Sequence, residues 1–358
     1  MKKTLLFCCL IYSLMACQSE TIPLYVGTYT SGDSEGIYTL PFNQTTGEVG
    51  EAVLVAKTVN PSYMVFSPDK KYLYAVGETN EFKNKNTGLV KAFKVMENGE
   101  LVLINSVDSG GAHPCHVAIN PEGTQVAVSN YSGGTISIFN ISENGALEEA
   151  VQVFDHNTTT EKSHVHSAAF INNDLFVADL GRNSIFQYNK NQGLYKLKSS
   201  SVVPFEPNSG PRHFTFTKDH DFLYVINEYA NSVSSSKFEN GEFDFIAHTS
   251  TLDNNQAESF CADIHLSPSG NHLYGSNRGE NSIVVFDRNT ENGELSKTQS
   301  ISVEGDWPRN FTLSPNGKFL LVANQKSENI SVFSVDEKSG KLTFEHSFKL
   351  PIPVCLIF

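Results

Sequence analysis

Eight residues of this chain carry the side chains that acid–base and anion chemistry uses, and they recur at corresponding places in it. His113, His164, His166, Arg212 and Arg309 stand at, or just ahead of, short alternating apolar runs, whereas Glu78, Glu228 and Arg278 follow directly after the next run. An imidazole or a carboxylate can take a proton from water. A guanidinium can stabilise a developing oxyanion, or clamp a phosphate or carboxylate with two parallel hydrogen bonds. The competing structural reading is that Arg212 and Glu228, close in sequence, pair with each other as a brace. Other catalytic signatures are missing: there is no Gly-x-Ser-x-Gly elbow, no P-loop and no Gly-x-Gly-x-x-Gly after a strand. His164-x-His166 alternates along an extended segment, which turns the two rings to opposite sides and argues against a metal pair. No metal and no cofactor are expected.

The elements that must position these residues come from an internal repeat. The stretches Arg309-Asn-Phe-Thr-Leu-Ser-Pro-Asn-Gly317, Ala262-Asp-Ile-His-Leu-Ser-Pro-Ser-Gly270 and Cys115-His-Val-Ala-Ile-Asn-Pro-Glu-Gly123 share one template. Each is an alternating run ending in a Pro-x-Gly turn, followed by a second apolar run, a polar turn, a third run and a weaker fourth. Alternating runs bounded by turn residues read as strands, and two-residue Gly turns as hairpins. The same template fits from Ser62, His166 and Arg212, making six full units at intervals of roughly 50 residues, near the period of a four-stranded propeller blade. The seventh unit is split. Pro23–Thr28 enters as a second strand, and Pro353–Phe358 matches a first strand and then stops. The expectation is therefore an all-β, seven-bladed β-propeller of four-stranded antiparallel blades, closed by a C-terminal strand that completes the N-terminal blade. Closure of that kind removes the open edge. A WD40 ring fits less well, because Trp307 is the only tryptophan and no strand ends in Trp-Asp.

In such a ring the first strand of each blade lines the central channel and the second runs antiparallel to it. The start of strand one and the end of strand two thus meet at one face, which gathers the eight residues on a single rim. Tyr131, Leu180 and Gln325 fill in other blades the slot that Glu78, Glu228 and Arg278 occupy. The many Tyr and Phe residues lie at strand spacing, which suits packing between blades. Lys83 and Lys85 fall in a longer turn and read as solvated.

The N-terminus precedes all this. Lys2 and Lys3, an apolar stretch at residues 5–14 and Leu14-Met-Ala-Cys17 read as a signal peptide over residues 1–16 with a lipobox, in which Cys17 is acylated. The mature domain then spans residues 22–358, exported and held at a membrane only through its lipid, periplasmic or associated with an outer membrane. Loss of the two lysines takes the net charge from -13 to -15. So acidic a chain is not expected to bind nucleic acid, although positive patches can sit locally within it. Cys115, Cys261 and Cys355 have neither disulfide-framework nor zinc spacing and read as small buried apolar side chains.

Several motifs agree in order and approximate spacing with one family. Leu24-Tyr-Val-Gly-Thr-Tyr-Thr30, Ala112-His-Pro-Cys-His116, Ser163-His-Val-His-Ser167, Gly210-Pro-Arg-His213, Asn227-Glu228 and Ser276-Asn-Arg-Gly-Glu-Asn-Ser282 resemble the lactonase family of seven-bladed propellers. That family holds bacterial propeller-type 6-phosphogluconolactonases and the fungal carboxy-cis,cis-muconate cyclizing enzyme. The resemblance runs from about Ile22 to Phe358 and implies a site of His164, Arg212, Glu228 and Arg278, with Arg309 as the substitute for Arg278. His166, His113 and Glu78 would stand beside the ligand. The implied activity is hydrolysis of a sugar-acid lactone, either 6-phosphogluconolactone or, given export, an unphosphorylated aldonolactone. The implied ligand is a small lactone or a carboxylated or phosphorylated sugar acid. Two other readings use the same rim: a lactone-forming lyase or isomerase acting on an unsaturated diacid, and a propeller that binds a ligand or protein without catalysis.

Overall fold

In a computed structural model, which describes residues 20–253 and 258–358, the chain folds into seven four-stranded sheets, every pairing antiparallel. The segment expected to be a signal peptide, residues 1–16, and Cys17 lie outside the described residues. No helix occurs among those described. Six sheets follow the sequence: blade 2 over residues 64–108, blade 3 over 114–155, blade 4 over 165–199, blade 5 over 211–250, blade 6 over 260–302 and blade 7 over 308–349. Blade 1 joins the two ends of the chain. Its inner strand, Pro353–Ile357, pairs with Thr21–Thr28 so that Val26 faces Leu356 and Gly27 faces Cys355. The split seventh blade expected from the repeat is therefore present, and the ring has no free inner edge.

Each blade buries its second strand on both faces. Gln125–Asn130, Phe222–Asn227 and Phe319–Asn324 are buried along their whole length, whereas the outer strand Leu147–Asp155 alternates between exposed and half-buried residues. Apolar side chains meet between neighbouring blades. The cluster of Leu24, Val26, Leu321, Ile330 and Leu356 joins blade 7 to blade 1, and comparable clusters fill the other six interfaces. Cys115, Cys261 and Cys355 are free and buried, as their spacing suggested. Burial pushes the thiols of Cys261 and Cys355 up to about 12, which keeps them protonated and unreactive.

Polar struts lock the interfaces. The hydroxyls of Tyr25, Tyr74, Tyr224 and Tyr274, all on second strands, donate to the carbonyls of Gly99, Gly145, Gly293 and Gly340 in the outer hairpin of the next blade, at 2.9–3.1 Å. The aromatic residues at strand spacing thus serve the contact between blades. Loss of one strut leaves a buried carbonyl without its donor, a cost of about 1–3 kcal/mol. Tyr224→Phe should lower the free energy of unfolding by that amount, read from urea midpoints. An unchanged midpoint would show that the strut carries no net stability.

Six inner strands share an irregularity that places the site. Pairing with the second strand skips a residue between Pro114 and His116, Val165 and Ser167, Pro211 and His213, Pro308 and Asn310, and Pro353 and Cys355, and it skips Ala262 and Asp263 in blade 6. A bulge leaves its extra residue outside the ladder and re-aims the side chain. The bulged residues include Cys115, His166, Arg212 and Arg309. Three of the four were singled out from the sequence for chemistry.

Candidate active site

The charged residues at the channel mouth form two clusters. In the first, Glu228 Oε2 lies 3.0 Å from Arg212 Nε and 2.8 Å from Arg278 Nη2. The pairing of Arg212 with Glu228 is real, but Glu228 bridges two guanidiniums and is no simple brace within one blade. Both contacts fall on Oε2, so Oε1 has no hydrogen-bond partner among the described residues. Arg212 Nε is near enough for an ion pair, yet its N–H is not aimed at the carboxylate and finds no acceptor. Arg212 is only 2% exposed. Burial, with Arg278 and Arg309 nearby, pushes its pKa down to about 10 against the pull of Glu228.

Backbone contacts fix these side chains. Arg212 Nη1 donates to Ala262 O at 2.5 Å, and Arg278 donates from Nε to Phe260 O and from Nη2 to Cys261 O. Three successive carbonyls of the blade 6 inner strand are thereby held by two arginines. Glu228 donates its own N–H to Gly210 O at 2.7 Å. Gly210 has φ +68°, a conformation glycine adopts without strain, and a Cβ there would meet the Tyr229 ring at 2.7 Å.

In the second cluster Arg309 lies 3.8 Å from Glu78 and 5.3 Å from the Tyr29 ring centroid, while the Tyr29 hydroxyl donates to Glu78 at 2.8 Å. Arg309 therefore belongs with Glu78, and Arg278 holds the place beside Glu228 for which the resemblance had left Arg309 as a substitute. Burial works against the charge on Arg309, but Tyr29 and Glu78 outweigh it and raise its affinity for the proton.

His164 stands on the rim beside Tyr131, ring on ring at 4.5 Å and 19°. Its Nδ1 lies 3.1 Å from Tyr131 O. A carbonyl only accepts, so Nδ1 carries the hydrogen in the neutral ring and Nε2 is left with its lone pair. Buried Asp179 fixes the segment, accepting from His164 N–H at 2.9 Å, Ser163 Oγ at 2.6 Å and Arg182 N–H at 3.0 Å. Burial raises the Asp179 carboxyl, but hydrogen bonds from His156 and Ser163 outweigh it and hold the group below its usual range. Gly181 completes the seat, since a Cβ there would come within 2.8 Å of His164 N.

One expectation is corrected. The rings of His164 and His166 do not diverge: His166 meets the same Tyr131 ring edge-on at 5.7 Å. The bulge between Val165 and Ser167 breaks the strand alternation on which the expectation rested. Lys85 is exposed, as its place in the turn suggested, and pairs at the surface with Asp108 at 3.3 Å. His113 lies at the mouth with φ +52°, and its buried Nδ1 has no partner.

Beneath the rim runs a belt that sequence reasoning missed. Tyr63, His116, His166 and His213, from blades 2 to 5, meet ring to ring at centroid distances of 4.2–5.9 Å. His213 Nδ1 bonds Asp263 at 2.7 Å, Asn310 Nδ2 donates to Asp263 at 2.6 Å, and Leu356 N–H donates to Asn310 at 2.7 Å. All seven blades contribute. The one signal in the sequence was that the repeat places polar residues, His116, His213 and Asn310, directly after bulge residues of the inner strands. Tyr29, Tyr131 and Asp179 were missed as partners because their contacts cross between blades or turns.

Two sizeable cavities lie at the other end of the disc. One of about 620 Å³ is lined by Tyr63, His116, Ala168 and Phe358, and another of about 470 Å³ by Tyr25, Phe66, Pro315 and Phe358. Neither includes the arginines or Glu228. Among the described residues no group of His, Cys, Asp and Glu could hold a metal ion.

A ring of seven such blades, with two arginines on one glutamate beside an oriented histidine, agrees with a match of residues 23–358 to the family model "Lactonase, 7-bladed beta-propeller". The chain belongs to this lactonase family. It is 37% identical over 306 residues to a 6-phosphogluconolactonase of Formosa agariphila, covering 81% of this chain and 86% of the relative. It is 33% identical over 302 residues to a 6-phosphogluconolactonase of Bacillus subtilis, covering 80% and 83%. Among solved structures it resembles the periplasmic gluconolactonase of Pseudomonas aeruginosa, at 32% identity and a TM-score of 0.86 over 94% of this chain and 98% of that one.

Proposed function

We propose that this chain is a lactone hydrolase that opens a sugar-acid lactone, as its 6-phosphogluconolactonase relatives are named to do, with His164, Arg212, Glu228 and Arg278 as its working residues. The observation that carries the reading is the pair of guanidiniums held on one carboxylate oxygen at the channel mouth. His164 Nε2 takes a proton from water as the water oxygen bonds to the lactone carbonyl carbon. Charge passes to the carbonyl oxygen, and Arg212 and Arg278 stabilise it in a site where they need little reorganisation. Collapse breaks the bond to the ring oxygen, which takes the proton from His164. The product is an open hydroxy acid, which releases a proton to solvent. Tyr131 and Asp179 position the histidine, and Glu228 keeps the two guanidiniums together.

Export is part of the proposal. The Lys2-Lys3 leader and the Cys17 lipobox support a lipid-anchored protein outside the cytoplasm. The periplasmic naming of the Pseudomonas relative is consistent with that.

The test offers the full chain, purified in detergent, δ-gluconolactone with and without a 6-phosphate in weak buffer with a pH indicator. Acid release above the spontaneous rate is expected with at least one of them. His164→Ala should lower that rate by about 100- to 10,000-fold, the usual worth of a positioned base. Equal rates in wild type and variant would reject the assignment.

A further inference from the structure

The two ends of the disc differ in chemistry. The mouth is charged, whereas the opposite end is apolar. There the cavities of about 620 and 470 Å³ share Phe66, Pro315 and Phe358, and together they make one hollow that reaches from blade 7 through blade 1 to blade 4. No Asp or Glu among the described residues lines it, in a chain that carries 39 of them. Lys70 is its one charged lining residue. The ammonium lies 5.9 Å from the Phe66 ring centroid and donates to Phe358 O at 3.2 Å, while Asp69 beside it pairs with Lys71 at 3.0 Å. Met96, next to the lining residue Val95, is exposed. The interfaces between blades are already filled without these side chains, so an open apolar surface of this extent marks a place of interaction.

The chain enters the fold at this end. Thr21–Thr28 is a second strand that runs toward the mouth, which puts Thr21 at the opposite side of the disc. Ile22 and Pro23, the next residues, line the hollow themselves. Only Gln18 and Ser19 separate Cys17 from Glu20, where the described chain begins. Three residue steps span at most about 11 Å, so a lipid on Cys17 keeps the apolar end within that distance of the headgroups. So short a tether raises the effective concentration of bilayer at the hollow, and an apolar contact too weak to hold a free protein then suffices. The mouth stands a strand away, roughly 25 Å for the eight residues of Thr21–Thr28.

We propose that the apolar end of the propeller rests on the bilayer that carries the Cys17 lipid, with phospholipid acyl chains against Phe66, Pro315 and Phe358. Lys70 lays its stem along that surface and holds its ammonium at headgroup level. The channel mouth consequently faces away from the membrane, open to ligand arriving from water. The inference rests on the export reading and deepens it; it is independent of which lactone is opened.

Trp307, the only tryptophan, marks the mouth, where its ring centroid lies 5.3 Å from the Arg278 guanidinium carbon. Phe358→Trp and Phe66→Trp each add a second reporter at the apolar end. The full chain is produced with its own leader in a bacterial host and purified from the membranes in detergent. It is then returned to phosphatidylcholine vesicles with ordinary or brominated acyl chains. Wild-type emission should be the same in both. The added tryptophan should lose about half of its emission to the bromines, because a docked apolar face sits at the boundary between headgroups and acyl chains. Either variant decides the matter if its urea midpoint matches wild type. Quenching of Trp307 as strong as that of the added residue would overturn the orientation. An added tryptophan that aqueous iodide reaches and the bromines do not would mean an open face. One that neither reaches would mean a second copy of the chain covering it, and both results overturn the docking. The mass of the purified protein separates this from the export reading. Cys17 without acyl chains would reject the anchor and the docking together, whereas acylated Cys17 with no quenching would reject the docking alone.

Discussion

Glu228→Gln should lower kcat/KM on the hydrolysed lactone by about 100- to 1,000-fold, the scale seen when preorganised charge at an oxyanion is lost. The substitution keeps the shape and one acceptor oxygen but removes the negative charge that Arg212 and Arg278 share at 3.0 and 2.8 Å. Arg212 is too buried to turn outward, and its Nε–H already lacks an acceptor. Two like charges would then face each other across a neutral amide, and one would be displaced from the geometry that stabilises the oxyanion. The same change removes a group that sustains the charge on Arg212, whose pKa stands at about 10 with the carboxylate in place. Without it the value falls further, so residual activity in Glu228→Gln should fade on the alkaline side at lower pH than in wild type. Breaking a buried pair also costs roughly 3–5 kcal/mol of stability, which urea unfolding would read separately from the kinetics. Wild-type kcat/KM in a folded Glu228→Gln variant would show that the carboxylate does not organise the arginines for catalysis.

The repeat made the ring legible because blades differ in sequence but keep their turn residues and strand alternation. Ser-Pro-x-Gly turns, alternating runs and the orphan strands at each end determine how many blades there are and how the ring closes. The rim followed from strand direction alone. What the sequence could not show was the bulge, because one extra residue at the start of an inner strand leaves the alternation of the rest intact. That one residue decides that Arg212, His166 and Arg309 leave the ladder, and that His164 and His166 share Tyr131. Partnerships between blades were equally hidden. Tyr131 with His164, Arg278 with Trp307 and His213 with Asp263 join residues some 30 to 50 positions apart. Only the closed ring brings them together. The resemblance supplied the four proposed working residues, and the structure adds why they stand as they do.

The belt beneath that site should make the protein acid-sensitive. His213 is pushed down to about 4 by burial and by Arg212, even though Asp263 pulls the other way. His116 and His166 are lowered as well, chiefly by burial, with His213 acting on the first and Arg212 on the second. Both also have an Nδ1 that is buried without a partner, so a proton there would sit as an uncompensated charge. These three rings are neutral in the folded chain, while the unfolded chain protonates them near the ordinary value of about 6.5. Between about 6.5 and 4 the unfolded state therefore binds more protons, and stability falls as the pH falls. His213 alone is worth about 3 kcal/mol over that window. His265 opposes the trend. Burial lowers its affinity for the proton, but Asp263 outweighs it, so the stability His265 adds is present below about 6.5 and lost as the pH rises. Its side chain is 37% exposed, and solvent screens much of that contribution. Asp263, held well below the usual carboxylate range against its burial by His265 and His213, stays charged throughout the window. Urea midpoints should thus drop steeply from pH 7 to pH 4.5, by more than the charge balance of the surface produces. His213→Asn should start lower at pH 7, having lost the bond to Asp263, yet lose less over the same range. Midpoints that stay level in wild type, or fall equally in the variant, would mean that the belt does not hold its histidines neutral.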